Sequence, residues 1–318
     1  MGALHLPSGV RAAVYRLLVV AILGVALTFA SDAFLTTNNL LNVLRQASLY
    51  FLLASGLTLV ILTAGLDLSV GANVGLSACL AASVMQATGS ASLGALTGLG
   101  AGALVGLLNG ALVTAVRIPP FIATYGTLWM LHGVTYWYMG GQTIHGFPSG
   151  FRQLGSGYWA GIPVPVYVMF AFLVMGAFFA QRTTYGQEIY AIGANPMAAR
   201  LSGIPLERRL LLVYTLSGAM AGLAALVFLA RLNSAEGDIG ESLTLPAIAA
   251  CLIGGTSLFG GVGTLAGTFI GALILTLVLN GMNLLQINGN WQPLVTGVIV
   301  VLAVLVDQLT RRRAELRA

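Results

Sequence analysis

The feature that most constrains this chain is a succession of apolar runs, each close to the length that crosses a bilayer, separated by short polar breaks. A helix needs about 20 mainly apolar residues to span the hydrocarbon, within a range of about 17–25. The hydrocarbon has no water to satisfy exposed backbone groups, so such runs must close their hydrogen bonds internally, as helices. Ten runs qualify, near residues 15–31, 48–65, 69–88, 91–115, 121–139, 164–181, 210–230, 243–259, 263–285 and 292–308. The fold predicted is an all-α integral membrane protein of about ten transmembrane helices. Composition agrees: 58% of the 318 residues are hydrophobic and 7% charged, where a soluble domain carries about 25% charged residues. The run after Arg11 and Arg16 has the look of a secretory signal, but the many spans behind it make it an uncleaved first helix.

Charge orients the bundle. Lysine is absent, so all 14 basic residues are arginine. With a cytoplasmic N-terminus, Arg45, Arg152 and Arg231 fall outside and the other arginines inside, the bias that positive-inside topology requires. Both termini are then cytoplasmic: a tail over 1–14, a single polytopic domain over 15–308 and an Arg-rich tail over 309–318. Within the domain, 140–163 makes a Gly/Pro-rich external loop and 182–209 the longest internal one. Residues 32–47 read as an amphipathic helix lying at the outer surface.

The missing lysine also excludes chemistry. There is no GxxxxGK[ST] phosphate loop and no Schiff-base lysine. The arginines are scattered singly, which argues against nucleic acid. Cys79 and Cys251 lie within apolar runs and read as small buried hydrophobes, while His5, His132 and His145 are too far apart for a metal motif. With no HExxH string, carboxylate pair or Ser–His–Asp grouping, the chain does not read as an enzyme.

Glycine supplies packing. Gly94, Gly98, Gly102, Gly106 and Gly110 recur every four residues, and Gly263, Gly267 and Gly271 repeat the device five spans later. Such rows let a neighbouring backbone approach closely. Two rows in oppositely running spans suggest an inverted five-plus-five repeat; generic small-residue packing is the competing reading.

Polar residues leave choices open. Asp67 sits in the string Thr63–Asn73 with Ser69 and Asn73 behind it; helix capping, gating of a path and proton carriage are all compatible with it. Asn109, Asn280 and Asn283, with Gln286 and Asn233, offer neutral donors and acceptors, either to a passing polyol or to one another across helices. Trp129, His132 and Tyr136, with Trp137 and Tyr138, either stack on a solute or form an interfacial aromatic belt. In the inner loop, Asn195-Pro196-Met197-Ala198-Ala199-Arg200-Leu201-Ser202-Gly203 has the grammar of a short isolated helix: a good N-cap, proline at the first position, a glycine stop. Two turns are unstable alone, so this helix needs a surface, on a partner or on its own bundle.

Four strings, LDLSVGANVGL (66–76), RIPPFIATYGTL (117–128), YGQEIYAIGANPMAARLSGI (185–204) and LIGGTSLFGGVGTLAGTFIGALI (252–274), resemble the ribose-type permease subunits of bacterial sugar-uptake ABC transporters. The resemblance covers about residues 30–310. It implies a ten-helix subunit of the bacterial inner membrane that dimerises, as homodimer or heterodimer. It implies sugar delivered by a periplasmic or lipid-anchored binding protein, and drive from cytoplasmic ATPase partners that alone bind ATP and Mg; the chain itself needs no cofactor. The helix at 196–202 resembles the ATPase-coupling helix. Arg152, Arg231, Glu236, Asp238 and Glu241 are candidates for docking the binding protein. Two other readings are a branched-chain amino-acid permease, which LDLSVG and GGTSLFGGVGT fit less well, and a proton-coupled secondary transporter using Asp67 and His132.

Overall fold

The computed structural model describes residues 8–315, with side chains over 13–309. His5, Arg317 and the outermost parts of both tails lie outside the described residues. The helices are α1 Ser8–Ala30, α2 Thr37–Leu62, α3 Val70–Thr88, α4 Ala91–Thr114, α5 Pro120–Met139, α6 Ser149–Ser156, α7 Val164–Arg182, α8 Thr184–Ala194, α9 Pro196–Leu201, α10 Leu206–Leu232, α11 Thr244–Ile253, α12 Leu265–Leu284 and α13 Gln292–Glu315. Among the described residues, eight helices are long and apolar enough to cross a membrane: α1, α2, α3, α4, α7, α10, α12 and α13. Helix α5 has the length but too polar a composition, and α11 is short.

Helix α2 is the hub, packed on α7, α10, α11 and α12 and almost wholly enclosed. That enclosure corrects one expectation. Residues 37–47 are not a separate surface helix but the first turns of α2, a rod about 39 Å long at 1.5 Å per residue. Thr37, Asn38 and Asn42 are exposed there, while Asn39 turns to the protein, where it and Asn280 exchange two amide hydrogen bonds, 3.1 and 2.8 Å. The 140–163 loop is also more ordered than expected. It holds α6 and the antiparallel pair β2 (Tyr158–Trp159) with β3 (Ile162–Pro163), while β1 (Ile144–His145) pairs with β4 (Ser234–Ala235) beyond α10. Similarly, the inner loop carries α8 in addition to the short helix.

The glycines of the two rows lie at close approaches between helices, with one exception. Gly98, Gly102, Gly106 and Gly110 seat α4 on α10, and Gly94 faces Ala81 and Met85 of α3. Gly267 and Gly271 seat α12 against Ala250 and Gly254. Gly263 is not in a helix; it has a φ of +152° in the loop between α11 and α12.

The two halves share one register. Ala64, Arg117, Asn233 and Gln286 all adopt left-handed φ between 55° and 64°, although none is glycine. Asn233 follows Ala64 by the interval that separates Gln286 from Arg117 (233 − 64 = 286 − 117), and each ends an equivalent long helix. The same interval relates the starts of α2 and α10 and carries Gly94, Gly98 and Gly102 onto Gly263, Gly267 and Gly271. Packing repeats as well: α4 lies on α3 and α10, and α12 on α11 and α2. Gly56 meets Ser217 while the Tyr214 hydroxyl reaches the Leu66 carbonyl, so α2 and α10 run antiparallel and the repeat is inverted. Gly71 and Gly240 share the interval too, and their backbones touch, which puts the local twofold axis between them. Helices α1 and α7 stand outside this relation, α7 packing on α2 and α1 on α12.

Candidate functional site

All four distinctive strings converge at one end of the bundle, where the Thr124 hydroxyl of the second donates to the Leu66 carbonyl of the first at 3.1 Å. The loop 254–264 turns through Gly255, Gly260 and Gly261, all at φ between 71° and 82°. The Gly261 N–H donates to the Leu62 carbonyl at 2.9 Å, closing the end of α2. Helix α8 lies over this junction. A Cβ at Gly193 would meet the Gly261 nitrogen at 2.5 Å, and the Tyr190 hydroxyl donates to the Gly263 carbonyl at 2.8 Å. The Ser257 hydroxyl donates to Asp307 of α13 at 2.8 Å, tying the same loop to the last helix.

From this seat α9 projects. Asn195 Oδ1 accepts from the Ala198 N–H at 3.0 Å, and Pro196 needs no donor partner at the first position. Gly203, at φ +83°, ends the helix as the Ile204 N–H returns to the Ala199 carbonyl at 3.1 Å. Only Ala199 is buried, against Ile192 and Leu206. Met197 and Leu201, four residues apart and so on one face, are 68% and 82% exposed. Two large apolar side chains uncovered on a six-residue helix form a contact surface without an occupant. Braces hold the hairpin: Arg200 pairs with Glu207, and Arg209 pairs with Glu188 while stacking on the Tyr185 ring at 4.2 Å.

Asp67, Ser69 and Asn109 come together just beneath. Asp67 is 2% exposed. Its Oδ1 accepts from the Ser69 N–H at 3.0 Å and the Ser69 hydroxyl at 2.6 Å; its Oδ2 accepts from the Ser217 hydroxyl at 3.3 Å. Asn109 Nδ2 donates to Ser69 Oγ at 2.8 Å. The cluster therefore binds the start of α3 to α4 and α10. Asn73 adds a bond from its Nδ2 to the Gly102 carbonyl at 3.2 Å. Burial pushes the Asp67 carboxyl above the usual carboxylate range, against the opposing pull of the Ser69 and Ser217 bonds. The sign follows. A neutral carboxyl favoured in the folded state gives stability that is full below the unfolded pKa and is lost as pH rises through the folded one. Asp67→Asn should keep ATP-driven uptake and flatten the pH dependence of thermal unfolding above about pH 4; an unchanged pH profile would count against this assignment. Asp67→Leu strands the Ser69 and Ser217 donors and should cost about 2–4 kcal/mol.

Asn280 and Asn283 are not part of this site. Asn280 pairs with Asn39, and Asn283 Oδ1 accepts from Gln292 Nε2 at 2.9 Å. Asn233 Oδ1 accepts from the Phe147 N–H at 3.1 Å, fixing the external segment. Ser217 and Tyr214 were not legible beforehand, because nothing in α10's sequence says which face meets Asp67.

The opposite end holds a second polar feature. Arg45 lies over the Tyr158 ring at 5.0 Å and donates to Asn42 Oδ1 at 3.3 Å, but its Nε and Nη2 are buried with no hydrogen-bond partner. Arg231 is close enough to repel it. Neither is among the ion pairs formed by the described residues.

Comparison with known proteins supplies the family. The family described as "Branched-chain amino acid transport system / permease component" matches residues 39–304. The ribose import permease protein of Bacillus subtilis (strain 168) is 41% identical over 289 residues, covering 90% of each chain. The galactose/methyl galactoside import permease protein of Escherichia coli (strain K12) is 35% identical, covering 93% of this chain and 94% of its own. The D-allose transport system permease protein of the same strain is 38% identical over 92% of this chain and 89% of its own. No solved structure matches. The chain belongs to the transport-system permease component family, in the branch that holds the monosaccharide ABC permeases.

Proposed function

We propose that the chain is the membrane permease subunit of an ABC importer that carries a neutral monosaccharide across the bacterial inner membrane. The observation that carries this is the match, over 89–94% of each chain, to ribose, galactose and allose import permeases, joined to a projecting α9 with uncovered Met197 and Leu201. In this reading all ten spans cross, α5 and α11 included, because the shared register makes them counterparts of α13 and α3, two of the apolar spans. Both termini are cytoplasmic, as the arginine bias requires. Helix α9 docks in a cleft of an ATPase subunit that binds ATP and Mg, and closure of two such subunits pushes a pair of permeases toward the outward-open state. The Asp67 cluster and Asn73 hold the α3–α4–α10 wall that moves as a unit. Proton carriage by Asp67 is disfavoured, since its oxygens are enclosed by Ser69, Ser217 and Asn109.

The binding protein docks at the other end, where Arg45, with two nitrogens lacking acceptors, and the nearby Arg231 favour carboxylates. Arg45→Glu with Arg231→Glu should weaken capture of the loaded binding protein at least tenfold, by two reversed charges; unchanged capture excludes this surface. The whole reading is tested in liposomes. Uptake is expected only when ATPase, ATP and loaded binding protein are all present. Solute accumulation by the chain alone under a pH gradient overturns it.

A further inference from the structure

The exposed face of α5 differs from those of α1 and α13. On α13 the uncovered large side chains are leucine and valine, as at Leu302, 54% exposed, and on α1 the exposed rings, Tyr15 and Phe29, stand near the two ends of the span. On α5 rings continue through the middle, beside the exposed Ile122, Met130 and Val134: Phe121, Tyr125, Trp129, His132 and Tyr136 follow one another with centroids 5.9, 6.4, 5.9 and 6.4 Å apart. An interfacial belt gathers at the two ends of a span. This ladder instead runs about 22 Å along the helix at 1.5 Å per residue, from just past the Pro119–Pro120 corner to Tyr136. There the ring lies against Gly237, on the segment that carries the acidic residues of the outer end. The opposite face is fixed to the protein, with Thr124, Thr127, Leu131 and Thr135 buried. An imidazole well inside a span, as at His132, is costly against acyl chains, and α5 is the long helix of the bundle that falls short of the apolar composition the eight spans share.

We infer that the α5 ladder faces water and forms a track on which the sugar slides, each ring stacking against the C–H face of the pyranose or furanose as it passes. This rests on the sugar-import reading above and adds where the solute runs. Stacking on a ring face is tolerant of which hydroxyls point where, so a ladder suits a conduit whose selectivity resides in another protein. Rings about 6 Å apart are also close to one sugar's width, so a solute leaves one ring as it meets the next.

The test uses the assembled transporter in liposomes. For the fluorescence arm the chain is reconstituted without its partners, and with Trp137, Trp159 and Trp291 each replaced by Phe, Trp129 is its sole tryptophan. Its fluorescence is expected to be quenched by acrylamide and spared by lipids brominated on the acyl chain; strong quenching by the brominated lipid overturns the inference. Trp129→Ala should lower uptake at saturating loaded binding protein about tenfold, with Trp129→Phe within about twofold of wild type. If wild type transports and Trp129→Ala transports equally well, the track is wrong while the importer reading stands. If wild type transports no sugar, that reading fails first.

Discussion

Gly102→Val is expected to abolish the folded bundle, the largest stability effect of any substitution considered for this chain. A Cβ at Gly102 would stand 2.5 Å from the Gly218 carbonyl oxygen and 2.7 Å from the Gly222 Cα. Both obstacles are backbone, and both belong to glycines, so no side chain can rotate away. Overpacking in a core usually costs about 1–3 kcal/mol because neighbours give a little. Here α4 and α10 must part along their whole contact, so the cost should exceed that range. Gly100, two residues away on the same helix, has nothing within 4 Å of an added Cβ. Gly100→Ala should therefore be neutral or stabilising by up to about 1 kcal/mol, through helix propensity. Thermal unfolding of the detergent-extracted protein reads both variants. A Gly102→Val protein that extracts and melts like wild type would falsify the close-approach account of the α4–α10 seam.

The second large effect is on coupling. Arg200→Glu and Gly203→Val should each reduce sugar-stimulated ATPase activity of the assembled complex at least tenfold, while leaving the bundle's unfolding temperature near that of wild type. Arg200 is 59% exposed and pairs with Glu207, so reversing its charge turns a brace into a repulsion at the base of α9. Gly203 has open space around a would-be Cβ, so the penalty of valine is confined to its φ of +83°. A β-branched residue held there costs about 1–3 kcal/mol, enough to unwind a six-residue helix that buries one alanine. Normal stimulation in either variant removes α9 from the coupling route. Loss of activity together with a collapsed unfolding temperature would assign the residue to the fold instead.

What could be read in the sequence was what is local. The cap, proline and glycine of α9 are consecutive and act on their own backbone, so the helix was visible before any packing was known. The four-residue glycine spacing on α4 was visible for the same reason. Its partner was not: Gly218 and Gly222 lie in a helix whose glycines look unremarkable without the facing row. Within residues 37–47, exposed at Thr37, Asn38 and Asn42, polarity does not tell which side chain turns inward, nor that the segment continues into α2. Asn39 is polar and yet turned inward, since Asn280, far away in the chain, returns both of its amide bonds. The shape of Asp67's surroundings was hidden likewise, because Ser217 and Asn109 reach it from distant spans. The Arg45 guanidinium looked like an ordinary outer charge; only the geometry shows two of its nitrogens without acceptors.

The contact between Gly71 and Gly240 has a consequence for how this chain can change over generations. A duplicated unit ordinarily gains freedom, because one copy keeps the old task while the other drifts. Where a repeat touches itself across its own axis, that freedom is withdrawn: each position is the other's wall. A Cβ at Gly71 would meet the Gly240 carbonyl at 2.6 Å, and one at Gly240 would meet the Gly75 nitrogen at 2.8 Å. The two halves can diverge at their rims, as α1 and α7 have, but at this point they are bound to remain alike.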